Sequence, residues 1–377
     1  MKHVMIIPLL LFLAGSIYVF CQGWQLLPQN IFIKLLYSVA FVSLWAAYPV
    51  AMIGKETLSL PLIKWLTVFG GVFMVVLMYL ILILLAIDLV RLFNHFFSFF
   101  PGGITRDVLL TRRITAGVIF GFLVVLLSIG HYRFSHPVVE RLDLKVNKKA
   151  NGRKELHVVA VSDIHLGFTI GKERLKKYVE QINALQPDVI VLSGDLIDVS
   201  VRPLEEYKMY EELQQLRAPL GVYMVSGNHE YISGIEASRH FIGKTGIRLL
   251  NNECVLPDST FVIAGQEDLS SPDYKTLSQI VKGVPADLPI IALCHQPYGV
   301  NIEAAVDEKI DFLFCGHTHQ GQVWPGNLIV KNLFEIPYGY AKKGETHIFV
   351  SSGLGLWGPQ FRIGTQSEVV SVKMQFE

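Results

Sequence analysis

Leu156-His157-Val158-Val159-Ala160-Val161 is a short apolar run that closes on Ser162-Asp163-Ile164-His165. A run of β-branched and aliphatic residues this short, bounded by polar turn residues, forms a buried strand. A carboxylate and an imidazole stand just past its end. The same construction recurs twice downstream. After an amphipathic helix expected over residues 172–185 and stopped by Pro187, Val189-Ile190-Val191-Leu192 runs into Ser193-Gly194-Asp195. A second helix is expected over 203–217, and Gly221-Val222-Tyr223-Met224-Val225 then runs into Ser226-Gly227-Asn228-His229-Glu230. Further strands are expected at 261–264, 289–293, 311–314, 347–350 and 369–374. Strand–helix alternation predicts an α/β layered domain, and the strand-rich remainder predicts a second sheet packed on the first.

Upstream of this region the composition changes. Of 377 residues, 51% are hydrophobic and only 17% charged. Residues 1–131 hold eight Lys or Arg and three acids, a net +5, which leaves −4 for the remainder. Four runs lack any charged residue: 4–20, 35–53, 65–87 and 114–130. A hydrocarbon core of roughly 30 Å takes about 20 residues of helix, and backbone groups inside lipid must bond within their own segment. A transmembrane bundle of four helices is therefore expected, with Trp24, Trp65 and Tyr132 near its ends suited to the headgroup level. Met1-Lys2-His3 fits the start of a signal peptide. Tyr18-Val19-Phe20-Cys21, however, puts bulky residues where cleavage needs small ones, so a retained helix is expected. The linker 88–113 carries Phe93, Phe96, Phe97, Phe99 and Phe100, which reads as an interfacial helix or as packing against the bundle.

The charges around the fourth run pull in two directions. Arg91, Arg106, Arg112 and Arg113 before it place that loop in the cytoplasm and the C-terminal domain outside, whereas Arg133, Arg141, Lys145, Lys148 and Lys149 after it oppose that orientation. The side of the C-terminal domain stays open, with a lean to the extracytoplasmic face. Neither half has a basic tract dense enough for nucleic acid. Cys21, Cys254, Cys294 and Cys315 form no CxxC pair and no disulfide framework. The expected domains are a four-helix transmembrane region at 1–131, a linker at 132–153 and an α/β domain at 154–377.

Polar residues gather where the strands end: Asp163 and His165, Asp195, Asn228 and His229, then His295, then His317 and His319. Loops at the carboxyl ends of strands converge in α/β sheets. Carboxylate with imidazole suits Mn, Fe or Zn, whereas calcium takes all-oxygen shells. In order the blocks read Asp163-Ile-His165, Gly194-Asp195-Leu-Ile-Asp198, Gly227-Asn228-His229-Glu230, His295 and Gly316-His317-Thr-His319. This order resembles the calcineurin-like metallophosphoesterase superfamily, and within it the membrane-associated bacterial branch that includes YkuE and YaeI, over residues 154–377.

The resemblance implies two β-sheets face to face, flanked by helices, and a centre of two divalent metal ions. Asp163, His165 and His319 would hold the first ion; Asn228, His295 and His317 would hold the second; Asp195 would bridge them. A hydroxide between the ions would attack phosphorus, with His229 stabilising the developing charge or protonating the leaving group and Asp163 helping to orient it. Glu230 and Asp198 would steady the ligands. Gln320 replaces a glycine that relatives commonly carry after the last histidine. Gly353-Leu-Gly355-Leu-Trp-Gly358 spells GxGxxG, but Pro359 follows where a dinucleotide fingerprint opens a helix, so a glycine-rich loop is expected. Arg362, just beyond it, is a candidate for the substrate phosphate, with an ordinary surface arginine as the alternative.

The function expected is a membrane-anchored hydrolase of phosphomonoesters or phosphodiesters in the bacterial inner membrane. The expected partners are the lipid bilayer and a phosphate ester, lipid-linked ones such as a membrane pyrophosphate included. The rival reading is a catalytically silent membrane scaffold, or a transporter-like module, that keeps the phosphoesterase fold.

Overall fold

The computed structural model describes residues 6–102, 107–285 and 287–377, so Lys2 and Arg106 of the charge argument lie outside the described residues. By contacts the chain divides into two compact units, Met1–Ser128 and Ile129–Glu377.

The first unit is helical. Its elements are α1 (Ile6–Leu26), α2 (Ile31–Ile53), α3 (Leu60–Phe97) and most of α4 (Val108–Ser135). Each is long and apolar enough to cross a membrane. Asn30 opens α2 by accepting hydrogen bonds from the Phe32 and Ile33 amides, which satisfies donors that a helix start leaves unpaired. A side chain at Gly70 of α3 would overlap the Tyr48 backbone of α2; small residues permit such close approach where lipid supplies no hydrophobic drive. Phe93, Phe96 and Phe97 of the phenylalanine-rich stretch continue α3, whose 38 residues extend roughly 57 Å, well beyond the hydrocarbon thickness; Phe99 and Phe100 lie past its end.

The second unit contains two six-stranded sheets. One is built from β1 (Val138–Val146), β2 (Glu155–Val161), β3 (Val189–Ser193), β4 (Val222–Val225), β5 (Arg248–Leu249) and β12 (Glu368–Phe376), in the order β1-β12-β2-β3-β4-β5. The other holds β6 (Glu253–Val255), β7 (Val262–Gly265), β8 (Ile290–Leu293), β9 (Phe312–Cys315), β10 (Gly339–Lys343) and β11 (Thr346–Val350), in the order β10-β11-β9-β8-β7-β6. Val158, Ala160, Val189 and Val191 of the first sheet share a core with Ile291, Leu293, Phe312 and Phe314 of the second. Helices cover the outer faces. On one of them α5 (Lys172–Ala184) buries Leu175, Tyr178, Val179 and Ile182, the spacing of a single helical face. The expected helix over 203–217 is broken in two, Arg202–Glu206 and Tyr210–Leu213, around Lys208 at φ 49°.

The stretch expected as a linker, 132–153, contains β1, which runs parallel to β12 over nine residue pairs. Phe134, at the end of α4, is fully buried in the core of this second unit. The parallel pairs β2-β3-β4 and β7-β8-β9-β11 bring their carboxyl ends to one edge of the sandwich. There the Ser193 hydroxyl on β3 lies within hydrogen-bond reach of the Cys294 and Phe314 carbonyls, tying the two sheets together.

Candidate metal centre

Each candidate residue stands on the turn that follows a strand. The turns after β2 and β3 are zipped by backbone bonds from Asp163 N–H to Gly194 O and from His165 N–H to Asp195 O. Asp163, His165, Asp195, His317 and His319 all have φ between 49° and 71°, a region costly for residues with a side chain. Such strain persists only where surrounding structure over-determines it, and here it aims five side chains at one point. Gly227 and Gly316 are required by space: a Cβ on the first would overlap the Asp195 carboxylate and on the second the Asp163 carboxylate. Gln320, at the position where a glycine was noted as usual, takes φ 52°, the conformation glycine adopts without penalty.

The structure brings Asp163, His165, Asp195, Asn228, His229, His295, His317 and His319 together. His165 Nε2 lies 3.1 Å from His319 Nε2, and Asp163 Oδ1 is 3.3 Å from the latter. On the other side His295 Nε2 is 3.1 Å from Asp195 Oδ2 and 3.0 Å from Asn228 Oδ1. His317 Nδ1 is 2.9 Å from Asn228 Oδ1 and 3.3 Å from His295 Nε2. Asp195 Oδ2 also lies 3.7 Å from His165 Nε2, so this carboxylate faces both groups. Three sets can each close on an ion: Asp163, His165 and His319; His165, Asp195 and His229; Asp195, His295 and His317.

The donor set fits divalent transition cations. Imidazole nitrogens turned on each other at 3.1 and 3.3 Å repel unless a proton or a cation lies between them, and mixed nitrogen and oxygen donors without thiolate suit Mn, Fe or Zn. His295 donates its Nδ1–H to Ser193 O at 2.8 Å, which leaves the Nε2 lone pair for the centre, the arrangement by which proteins set ligand tautomers.

Charge follows the same geometry. Burial opposes ionisation of Asp163 and Asp195, yet the surrounding imidazoles hold both carboxyls far below the usual range. Burial also opposes protonation of His165 and His295, and the facing carboxylates overcome it, lifting His165 to about 10. Burial, reinforced by His295, pushes His317 down to about 4.

His229 stands at the rim, its side chain 15% exposed. Its Nδ1–H donates to Asp198 O at 2.9 Å, with Asp198 Oδ1 3.3 Å away, and its N–H donates to Asp195 Oδ1. Asp198, not Asp163, is therefore the group that orients it. Asp163 instead accepts from the His317 amide at 3.1 Å. Glu230 is fully buried and accepts the Asp195, Ile197 and Gly227 amides, so it steadies loop backbone and not ligand rotamers. Burial, then the Asp195 charge, pushes its carboxyl up to about 7.

Arg362 does not face substrate space. It is fully buried, and its guanidinium donates to the carbonyls of His319, Gly353 and Gly355. Neither the Ser193 carbonyl nor the Phe334 ring, 6.1 Å from His317, was singled out in sequence. A carbonyl carries no side-chain signal, and Phe334 lies outside the motif blocks.

The family model described as Calcineurin-like phosphoesterase matches residues 156–321. Over 262 residues the chain is 30% identical to an uncharacterized metallophosphoesterase of Aquifex aeolicus, an alignment covering 67% of this chain and 98% of that protein. It is 30% identical over 253 residues to a "transmembrane protein with metallophosphoesterase domain" of Danio rerio, covering 63% and 57%. It is also 28% identical over 261 residues to the metallophosphoesterase YkuE of Bacillus subtilis, covering 64% and 87%. The chain spans 60%, 57% and 63% of the length of its relatives in Helicobacter pylori, Caenorhabditis elegans and Campylobacter jejuni.

Proposed function

Because the chain belongs to the calcineurin-like metallophosphoesterases, we propose that it is a membrane-anchored, metal-dependent hydrolase of phosphomonoester or phosphodiester bonds. The observation that carries this reading is the convergence of two carboxylates, one amide oxygen and four imidazoles from five strand ends. In it, Asp163, His165 and His319 would hold one divalent ion and Asn228, His295 and His317 a second, with the Asp195 carboxylate facing both groups. Such a pair supplies Lewis-acid polarisation of the phosphoryl oxygens and a water acidified to near-neutral pKa.

The chain's own groups set up the rest. Ser193 O and Asp198 fix the His295 and His229 rings. With Nδ1–H held by the Asp198 carbonyl, His229 keeps Nε2 at the rim, where a proton carried there passes to the leaving oxygen as the phosphorus–oxygen bond breaks. Water is the nucleophile, so no covalent enzyme intermediate forms.

The test is hydrolysis of bis-p-nitrophenyl phosphate by the full chain with added manganese. Metal-dependent turnover is expected, lowered about 100-fold or more by Asp195→Asn and by His229→Ala. Folded protein without turnover supports the silent-scaffold reading instead. We place the protein in the bacterial inner membrane with this domain on the outer face, on the strength of Arg91, Arg112 and Arg113 between the third and fourth spans. Alkaline phosphatase fused after Glu377 is then active; a fluorescent cytoplasmic reporter at the same position contradicts that orientation.

A further inference from the structure

The segment after the last metal-site histidine forms an amphipathic helix, Gly326–Leu333, in which no residue is buried. Trp324, Leu328, Ile329 and Leu333 are 46%, 51%, 62% and 68% exposed. A surface helix of a water-soluble domain turns such residues inward; this one turns them out, beside the metal centre. The helix begins seven residues after His319, and just past its end Phe334 packs its ring 6.1 Å from His317.

Two backbone bonds tie the start of this segment to the foot of the fourth span. Trp324 N–H donates to Ile363 O at 2.8 Å, and Arg362 N–H donates to Gly130 O at 2.9 Å. Gly130 is the last residue of the apolar run 114–130, and Ile363 packs against it. The exposed apolar face therefore starts close to the end of the apolar run of α4, with the exposed Tyr132 two residues further on. An exposed tryptophan at that level, and a lysine (Lys331) able to reach outward from the same helix, match membrane-interface chemistry.

We propose that residues 324–333 lie in the membrane interface, with Leu328, Ile329 and Leu333 among lipid acyl chains, and that the adjacent centre acts on a phosphoester carried by a membrane amphiphile. The second half rests on the phosphoesterase reading; the first does not.

The full chain in phosphatidylcholine/phosphatidylglycerol vesicles tests both. In a Cys21→Ser background, an environment-sensitive fluorophore on Ile329→Cys is expected to shift to the blue and to be quenched by lipid bearing a nitroxide near the headgroup. The same probe on Lys282→Cys stays water-like. Water-like, unquenched emission at 329 overturns the proposal. Emission shielded from water yet unquenched by lipid also overturns it, since a protein surface then covers the face. For the substrate class, hexadecyl p-nitrophenyl phosphate in the vesicles is compared with methyl p-nitrophenyl phosphate in water, esters that differ only in the chain. The expected preference for the hexadecyl ester in kcat/KM is about tenfold or more, falling in Leu328→Gln/Ile329→Gln. Equal rates, or an unchanged ratio in the variant, refute the amphiphile. Hydrolysis of neither ester with a quenched probe refutes the phosphoesterase reading and leaves membrane docking standing.

Discussion

Arg362 acts on the metal centre through backbone. Its guanidinium holds the carbonyls of His319, Gly353 and Gly355, and burial brings its pKa down to about 10. Arg362→Met should therefore cost about 3 kcal/mol or more, because three buried carbonyls lose a charged donor, and metal occupancy should fall with it. A phosphate-binding arginine would instead raise KM in stable, metal-loaded protein. Gly227→Ala is predicted to lower metal affinity at least tenfold by driving a methyl group into Asp195, whereas Gly299→Ala, with open space around it, is the neutral comparison. Away from the centre, His347 is fixed as neutral imidazole: Nδ1 accepts from the Tyr340 hydroxyl and Nε2–H donates to Lys145 O. Burial is the main cause holding its pKa below the ordinary 6.5. The unfolded chain then takes up the proton first, so the contribution of His347 to stability is present above pH 6.5 and is lost as pH falls below it. Melting temperature should drop less steeply on acidification in His347→Gln than in the native chain.

At the level of elements, strands that run into the candidate site residues were legible because buried parallel strands read as continuous apolar runs; β2, β3, β4, β8 and β9 all have that form. β1 was not, since an edge strand exposes one face. Leu142, Leu144 and Val146 alternate with Arg141, Asp143 and Lys145, a period of two that reads as a charged linker when only the charges are counted. Leu144 and Val146 are in fact buried in the inter-sheet core. Leu144→Ala is accordingly expected to cost about 2–5 kcal/mol in denaturant unfolding; a true linker residue would cost almost nothing. The phenylalanines at 93–97 misled differently: lipid-facing helix and interfacial helix share a composition, and only chain continuity showed that α3 runs through them.

For the whole molecule, the convergence of the candidate residues was readable in advance because residue type, order and strand-end placement agree, while Arg362 was misread because spacing alone gives no direction to a side chain. The site as a whole fits divalent cations. Carboxylates and imidazoles are crowded, buried and turned upon one another, so chelation should lower the unfolding temperature of the second unit, with about 2.7 kcal/mol lost for ions present at 100 times their dissociation constant. Elemental analysis of the folded full chain, after loading with manganese, iron or zinc and removal of free ions, bears most directly on this. We predict about two transition-metal equivalents per chain, reduced by half or more in Asp195→Asn. Folded protein that retains no transition metal would contradict the account.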